Sequence, residues 1–150
     1  MLGELPAEEW KGGNIHRIGE NLFHLMRGQV FDLDGAAFFT FGGARSHDIQ
    51  DGILEPNDPD FEKKFQQLER RGALFRVNHI SWWAEELPSE GEYLEARANL
   101  EHVNWNVDYI ITHCCPSRIQ DMFSGGMFKK DALTEFFDEV RQRCTFRYWF

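Results

Sequence analysis

His113 is the residue whose type and position point most directly to chemistry. It follows a compact apolar run, Val107-Asp108-Tyr109-Ile110-Ile111-Thr112, and precedes Cys114-Cys115-Pro116. An imidazole at the carboxyl end of a buried strand stands where open α/β folds place their ligands, and a neutral imidazole is a common metal ligand. The competing reading is a polar residue that ends a strand with its ring bonded to backbone. Cys114 and Cys115 do not extend the site. Consecutive residues rarely converge on one ion. Only three residues separate Cys114 from Arg118, too few to wrap a phosphate as a cysteine phosphatase loop does. Both thiols read as unreactive packing groups.

Other pairs are read structurally. Asn78-His79 is flanked by Val77 and Ile80 and reads as a loop or helix-edge pair. His47-Asp48 reads as turn chemistry, since sequence neighbours point apart. Trp82-Trp83 reads as packing rather than a binding platform. Glu85-Glu86 reads as a solvated pair leading into a turn. Asp58, Asp60 and Glu62 lie where carboxylates favour a helix start.

These residues must be carried by elements that the apolar spacing suggests. Asn14–Ile18, Leu22–Leu25, Gln29–Leu33 and Ala36–Phe41 read as strands. Asp34-Gly35 between the last two signals a two-residue hairpin turn. The segment from Ser46 to Pro59 is polar and reads as a loop. Phe61, Phe65 and Leu68 share one face of a helix over Pro59–Arg71, which Gly72 ends. Ser89-Glu90-Gly91-Glu92 fits a capping box that opens a helix to about Val103, with Tyr93, Ala96, Leu100 and Val103 inward. Val107–Thr112 reads as a mostly buried strand. Leu133, Phe136, Phe137, Val140 and Cys144 recur at helical spacing, giving a third helix over Asp131–Arg143, and Phe146–Phe150 reads as a last strand. Strands first, then helices alternating with strands, is a mixed α/β layout.

Composition bounds the rest. The 150 residues are enough for one domain with a real core, and fourteen Phe and five Trp are too many for a disordered chain. The formal net charge of −9 repels nucleic-acid phosphates and argues against a protein that coats DNA or RNA. No apolar run approaches the length of about 20 residues that a membrane-spanning helix needs. Glu4, Glu8 and Glu9 are the wrong chemistry for a signal peptide. Three cysteines, two of them adjacent, are not a disulfide framework, so a reduced, cytoplasmic setting is expected.

Three segments together resemble the calcineurin-like metallophosphoesterases of the bacterial and phage-type branch. Phe39-Thr40-Phe41-Gly42-Gly43-Ala44-Arg45-Ser46-His47-Asp48 is similar to that branch's Gly-Gly-Ala-x-Ser-x-Asp strand and turn. Ser81-Trp82-Trp83-Ala84-Glu85-Glu86-Leu87-Pro88-Ser89 is similar to its Trp-Trp-x-Glu-Glu-Leu-Pro segment. The run from Val107 to Pro116 is similar to its buried strand ending in Thr-His. The resemblance spans about Trp10 to Phe150. It implies a β-sandwich flanked by helices, of which residues 1–150 are a single partial domain. It also implies two divalent metal ions (manganese, iron, zinc or similar), a phosphomonoester or phosphodiester substrate, and His113 as a metal ligand. The family's Asp-x-His, Gly-Asp, Gly-Asn-His and Gly-His-x-His motifs have no counterpart here. The first three are expected before Met1 and the last just after Phe150. The aromatic run Phe146–Phe150 fits that expectation, because termini usually lie in polar chain. Activity then requires more than this chain. The alternative is a non-catalytic module that pairs through exposed strand edges with a complementary half or with a second copy.

Overall fold

The computed structural model describes residues 5–127 and 129–150. The architecture is mixed α/β. In chain order the elements are β1 (Ala7–Trp10), β2 (Gly13–Gly19), β3 (Leu22–Leu25), β4 (Gln29–Leu33), β5 (Ala36–Phe41), β6 (Gly52–Leu54), α1 (Phe61–Arg70), β7 (Phe75–Val77), α2 (Glu90–His102), β8 (Tyr109–Thr112), α3 (Ser117–Ser124), α4 (Ala132–Arg143) and β9 (Tyr148–Trp149). A 3-10 turn lies at Ala84–Glu86. Among the described residues no helix is long and apolar enough to cross a membrane.

The chain divides into two compact units, one joining residues up to Gly43 with Pro88–Phe150, the other Ala44–Leu87. In the first unit, β1, β2 and β3 form an antiparallel sheet, and a second sheet has the order β4-β5-β8-β9. β4 and β5 are antiparallel, joined by the turn that Asp34-Gly35 signals, with φ of 55° and 82° at the two central residues. Positive φ at both positions is the type I′ requirement, and its twist suits flanking strands. β8 runs parallel to β5, with Phe41 opposite Thr112, and β9 runs parallel to β8.

Period-two alternation sorts this second sheet into two faces. Phe39, Phe41 and Ile110 point to one face and are fully buried with Tyr93, Ala96 and Leu100 of α2 and Leu133, Phe136, Phe137 and Val140 of α4. On the other face the first sheet approaches β4. A Cβ on Gly13 would sit 2.7 Å from the Phe31 ring, so only a residue without a side chain allows this approach. Beyond it the face carries Phe38, Tyr109, Tyr148 and Phe150 as a ladder of near-parallel rings, centroids 4.6 Å apart for Phe38–Tyr109 and 6.1–6.3 Å for the others. Tyr148 and Phe150 are 61% and 68% exposed.

The starts of α2 and α4 follow capping chemistry. The Ser89 hydroxyl accepts from the Glu92 amide while the Glu92 carboxylate accepts from the Ser89 amide at 2.7 Å, the expected capping box. Asp131 and Thr134 make a second box at the start of α4.

In the second unit, β6 and β7 pair in parallel. α1 carries the expected aromatic face, with Phe61 and Phe65 centroids 5.7 Å apart and Phe65 edge-on to Phe75 at 5.3 Å. β6 lies inside the segment expected to be a loop. β9 is shorter than the expected strand over Phe146–Phe150: Tyr148 and Trp149 stand in register with β8, and Phe150 adds hydrogen bonds to Ile110 and Thr112 beyond the strand.

Candidate functional site

The parallel pairing of β5 with β8 decides where His113 stands. With Phe41 opposite Thr112, the residues that leave the two strands, Gly42-Gly43 and His113-Cys114, run side by side at the carboxyl edge of the sheet. The Cys114 thiol donates to the Gly43 carbonyl at 3.4 Å, and the Thr112 hydroxyl donates to the Cys114 carbonyl at 2.8 Å. The Trp149 indole N–H donates to Thr112 Oγ1 at 2.7 Å, and the Thr112 amide donates to the Phe150 carbonyl at 2.9 Å. The turn that carries His113 is therefore held from the β5 side and from the β9 side. The imidazole itself is exposed.

Among the described residues no three His, Cys, Asp or Glu side chains are grouped so that they could hold a metal ion. Structural and catalytic sites supply three or four protein ligands each. His113 stands at the carboxyl end of β8, and among the described residues no further His, Cys, Asp or Glu joins it in a group of three. Cys114 and Cys144 add no nucleophile. Burial, and then the Asp131 charge, pushes the Cys114 thiol up to about 11. Burial pushes Cys144 up to about 11 as well. No disulfide forms among Cys114, Cys115 and Cys144.

In the second unit, the Ser46 hydroxyl donates to Glu86 Oε2 at 2.8 Å, and the Ala44 amide donates to the Glu86 carbonyl at 3.3 Å. Glu86 thus braces the turn after Gly43, a role its expected placement as a solvated pair with Glu85 did not include. Asp48 pairs with Arg76, whose hydrogen bond holds the carboxyl below its ordinary value, while His47 is exposed. Asn78 donates to both Glu55 oxygens at 3.0 and 3.1 Å, and exposed His79 has a left-handed φ of 55° in the turn after β7. Trp82 and Trp83 are half-buried, Trp82 forming a bridge with Asn78.

A cleft of about 680 Å³ opens at the other end of β8, lined in part by Asp32, His102, Asn106, Asp108 and Arg147. His113 lies five positions after Asp108, about 16 Å along an extended strand. Asp108 accepts from the Ala37 amide at 2.9 Å with one oxygen and from Arg147 Nε at 2.9 Å with the other. Asp32 accepts from the Gly35 amide at 2.8 Å, bracing the hairpin turn. These carboxylates hold strand ends in place.

One pair of functional-group residues escaped the sequence reading. His16 on β2 and His24 on β3 are direct cross-strand partners, with their Nδ1 atoms 3.1 Å apart. The hairpin turns at Glu20-Asn21 with Gly19 opposite Leu22, and an irregularity between Arg17 and Gly19 shifts the register so that residues 16 and 24 fall opposite each other, which spacing alone does not signal.

The chain matches no protein-family model, no curated protein and no solved structure.

Proposed function

We propose that this chain is one part of a metal-dependent phosphoesterase, in which His113 supplies one metal ligand and polypeptide other than these 150 residues supplies the rest. One observation carries the reading. Adjacent parallel strands end together at Gly42-Gly43 and His113, and carboxyl ends of strands in open α/β sheets are where ligands bind. The three-segment resemblance names the chemistry: divalent ions such as manganese, iron or zinc, and a phosphomonoester or phosphodiester as substrate. Two-metal hydrolysis needs both ions held about 3.5–4 Å apart, and a lone imidazole holds neither. The chain by itself is then inactive. The three free thiols favour a reducing, cytoplasmic setting.

The reading is tested in the DNA on either side of the reading frame. It requires an in-frame Gly-His-x-His soon after Phe150 and the remaining metal motifs upstream of Met1. Residues joined after Phe150 would run beside His113, because Phe150 already pairs with Thr112. Flanks without any of these motifs would end the enzyme reading for this protein.

The second reading is a non-catalytic module that pairs with a complementary half or with another copy. It is favoured by the exposed ladder of Phe38, Tyr109, Tyr148 and Phe150 and by β9, a two-residue strand at the edge of its sheet. A sizing column discriminates. A concentration-independent monomer would count against self-pairing.

A further inference from the structure

His16 and His24 lie on neighbouring strands of the first sheet, away from β8 and His113. His16 is 7% exposed and His24 is half-buried. The ring planes are 20° apart and the centroids 5.3 Å apart. With the Nδ1 atoms only 3.1 Å apart, the two nitrogens must lie almost on the line joining the ring centres. The rings are edge to edge, and one Nδ1–H donates to the other Nδ1. That arrangement holds one proton between two lone pairs.

A metal ion fits the same spacing. Two Zn–N bonds of about 2.0–2.1 Å put their nitrogens about 2.9 Å apart at a right angle and about 3.4 Å apart at the tetrahedral angle. The observed 3.1 Å lies between these values. Each lone pair must swing by roughly 40° off the line between the nitrogens to meet at one ion, a turn that the broad, soft torsion about Cβ–Cγ allows. The backbone need not move, because strand pairing fixes the register of the two residues. We propose that His16 and His24 form a two-histidine chelate for a borderline transition-metal ion such as zinc, the shared Nδ1 proton passing through solvent to Nε2 of the ring that carried it, so that both rings bind as neutral imidazoles.

The surroundings suit this assignment. Burial, then the His16 charge, then the Arg27 charge hold the His24 imidazolium form down, which favours the neutral ring that a ligand needs. Arg27 is the charged group that opposes a cation, and its guanidinium is paired with Glu92 at 3.3 Å. The partner of His16 on the β1 side is Ala7, which brings no charge. Two protein ligands are fewer than the three or four of a structural or catalytic zinc site, so the chelate is a weaker one whose other coordination positions go to water from the half-exposed side of His24. Imidazole nitrogen selects zinc, copper or nickel over magnesium and calcium.

The test is thermal unfolding of the intact chain at neutral pH across a series of zinc chloride concentrations. Zinc bound to the folded form raises Tm by about 4 °C for each tenfold increase beyond saturation. We expect that rise in the native chain and in His113→Ala, and its loss in His24→Gln. Magnesium chloride should give no rise. In parallel, cobalt(II) should shift the His16 and His24 ring proton resonances before those of His113. A rise that survives His24→Gln, a rise lost in His113→Ala, or no rise at all would overturn the proposal. The His113 result separates this site from the proposed phosphoesterase ligand.

Discussion

Replacing Gly28 by alanine tests how the β3–β4 connection meets α2. Gly28 has φ of 75°, its amide donates to the Thr40 carbonyl at 2.8 Å, and its carbonyl accepts from Asn99 of α2 at 2.8 Å. A Cβ there would meet Ala96 Cβ at 3.0 Å and Ala96 Cα and N at 3.1 Å. Two costs add. The left-handed conformation costs a non-glycine residue about 1–2 kcal/mol. Overpacking against helix backbone, which has no rotamer to yield, costs about 1–3 kcal/mol. Gly35→Ala isolates the first cost, because Gly35 has φ of 82° with nothing within 4 Å of the added atom. The difference between the variants is therefore about 2 kcal/mol from the close approach alone. With a urea m-value of about 2 kcal/mol/M, the Gly28→Ala midpoint should fall about 1 M below that of Gly35→Ala. Adding Ala96→Gly to Gly28→Ala should restore only part of the loss, since the Ala96 Cα and N remain in contact range. Urea unfolding followed by circular dichroism measures all three. If Gly28→Ala lowers the midpoint no further than Gly35→Ala, the helix does not lie against this turn as described.

Glu139→Gln should destabilise the protein by about 1 kcal/mol at neutral pH, because Glu139 accepts from Arg97 at 2.8 Å and from Arg143 at 2.9 Å. Burial pushes its carboxyl up, but the Arg97 and Arg143 hydrogen bonds outweigh that and hold it below its unfolded value of 4.5. The stabilisation is thus present above 4.5 and lost as pH falls through the folded-state value, so urea midpoints of native and variant chains should converge in acid. A difference that persists unchanged at low pH would contradict the ion-pair account. The thiols should separate by reactivity. A thiol near 11 is about 0.1% thiolate at pH 8, so Cys114 and Cys144 should label slowly while exposed Cys115 labels first. Simultaneous labelling of all three in the folded chain would count against that burial.

Much of the first unit was legible because local chemistry and tertiary packing agree there. Asp34-Gly35 adopts the turn its residues favour, Ser89 and Glu92 close the box they spell, and Leu133, Phe136, Phe137 and Val140 line one face of α4. β1 was not read from Ala7-Glu8-Glu9-Trp10, because two glutamates mask a strand whose pairing with β2 decides its conformation. α3 was missed after Cys114-Cys115-Pro116, although Pro116 stands at its cap. β6 and β7 have three residues each, too few for periodicity to register. Of the candidate site, His113 at a strand end was legible as a position. The brace that Glu86 gives Ser46 was not, since they lie 40 positions apart in the chain. The His16–His24 contact needed the cross-strand register.

The central claim, that His113 is a ligand in a phosphoester-hydrolysing site completed by other polypeptide, is tested most directly by activity. The measurement is manganese-dependent hydrolysis of bis-p-nitrophenyl phosphate by the chain extended through its flanking reading frames, with and without His113→Ala. The account predicts turnover by the extended protein, a fall of about 100-fold or more on His113→Ala, in line with the loss of a metal-holding group, and none by the 150-residue chain. Turnover that His113→Ala leaves unchanged, or an extended protein with none, would contradict it.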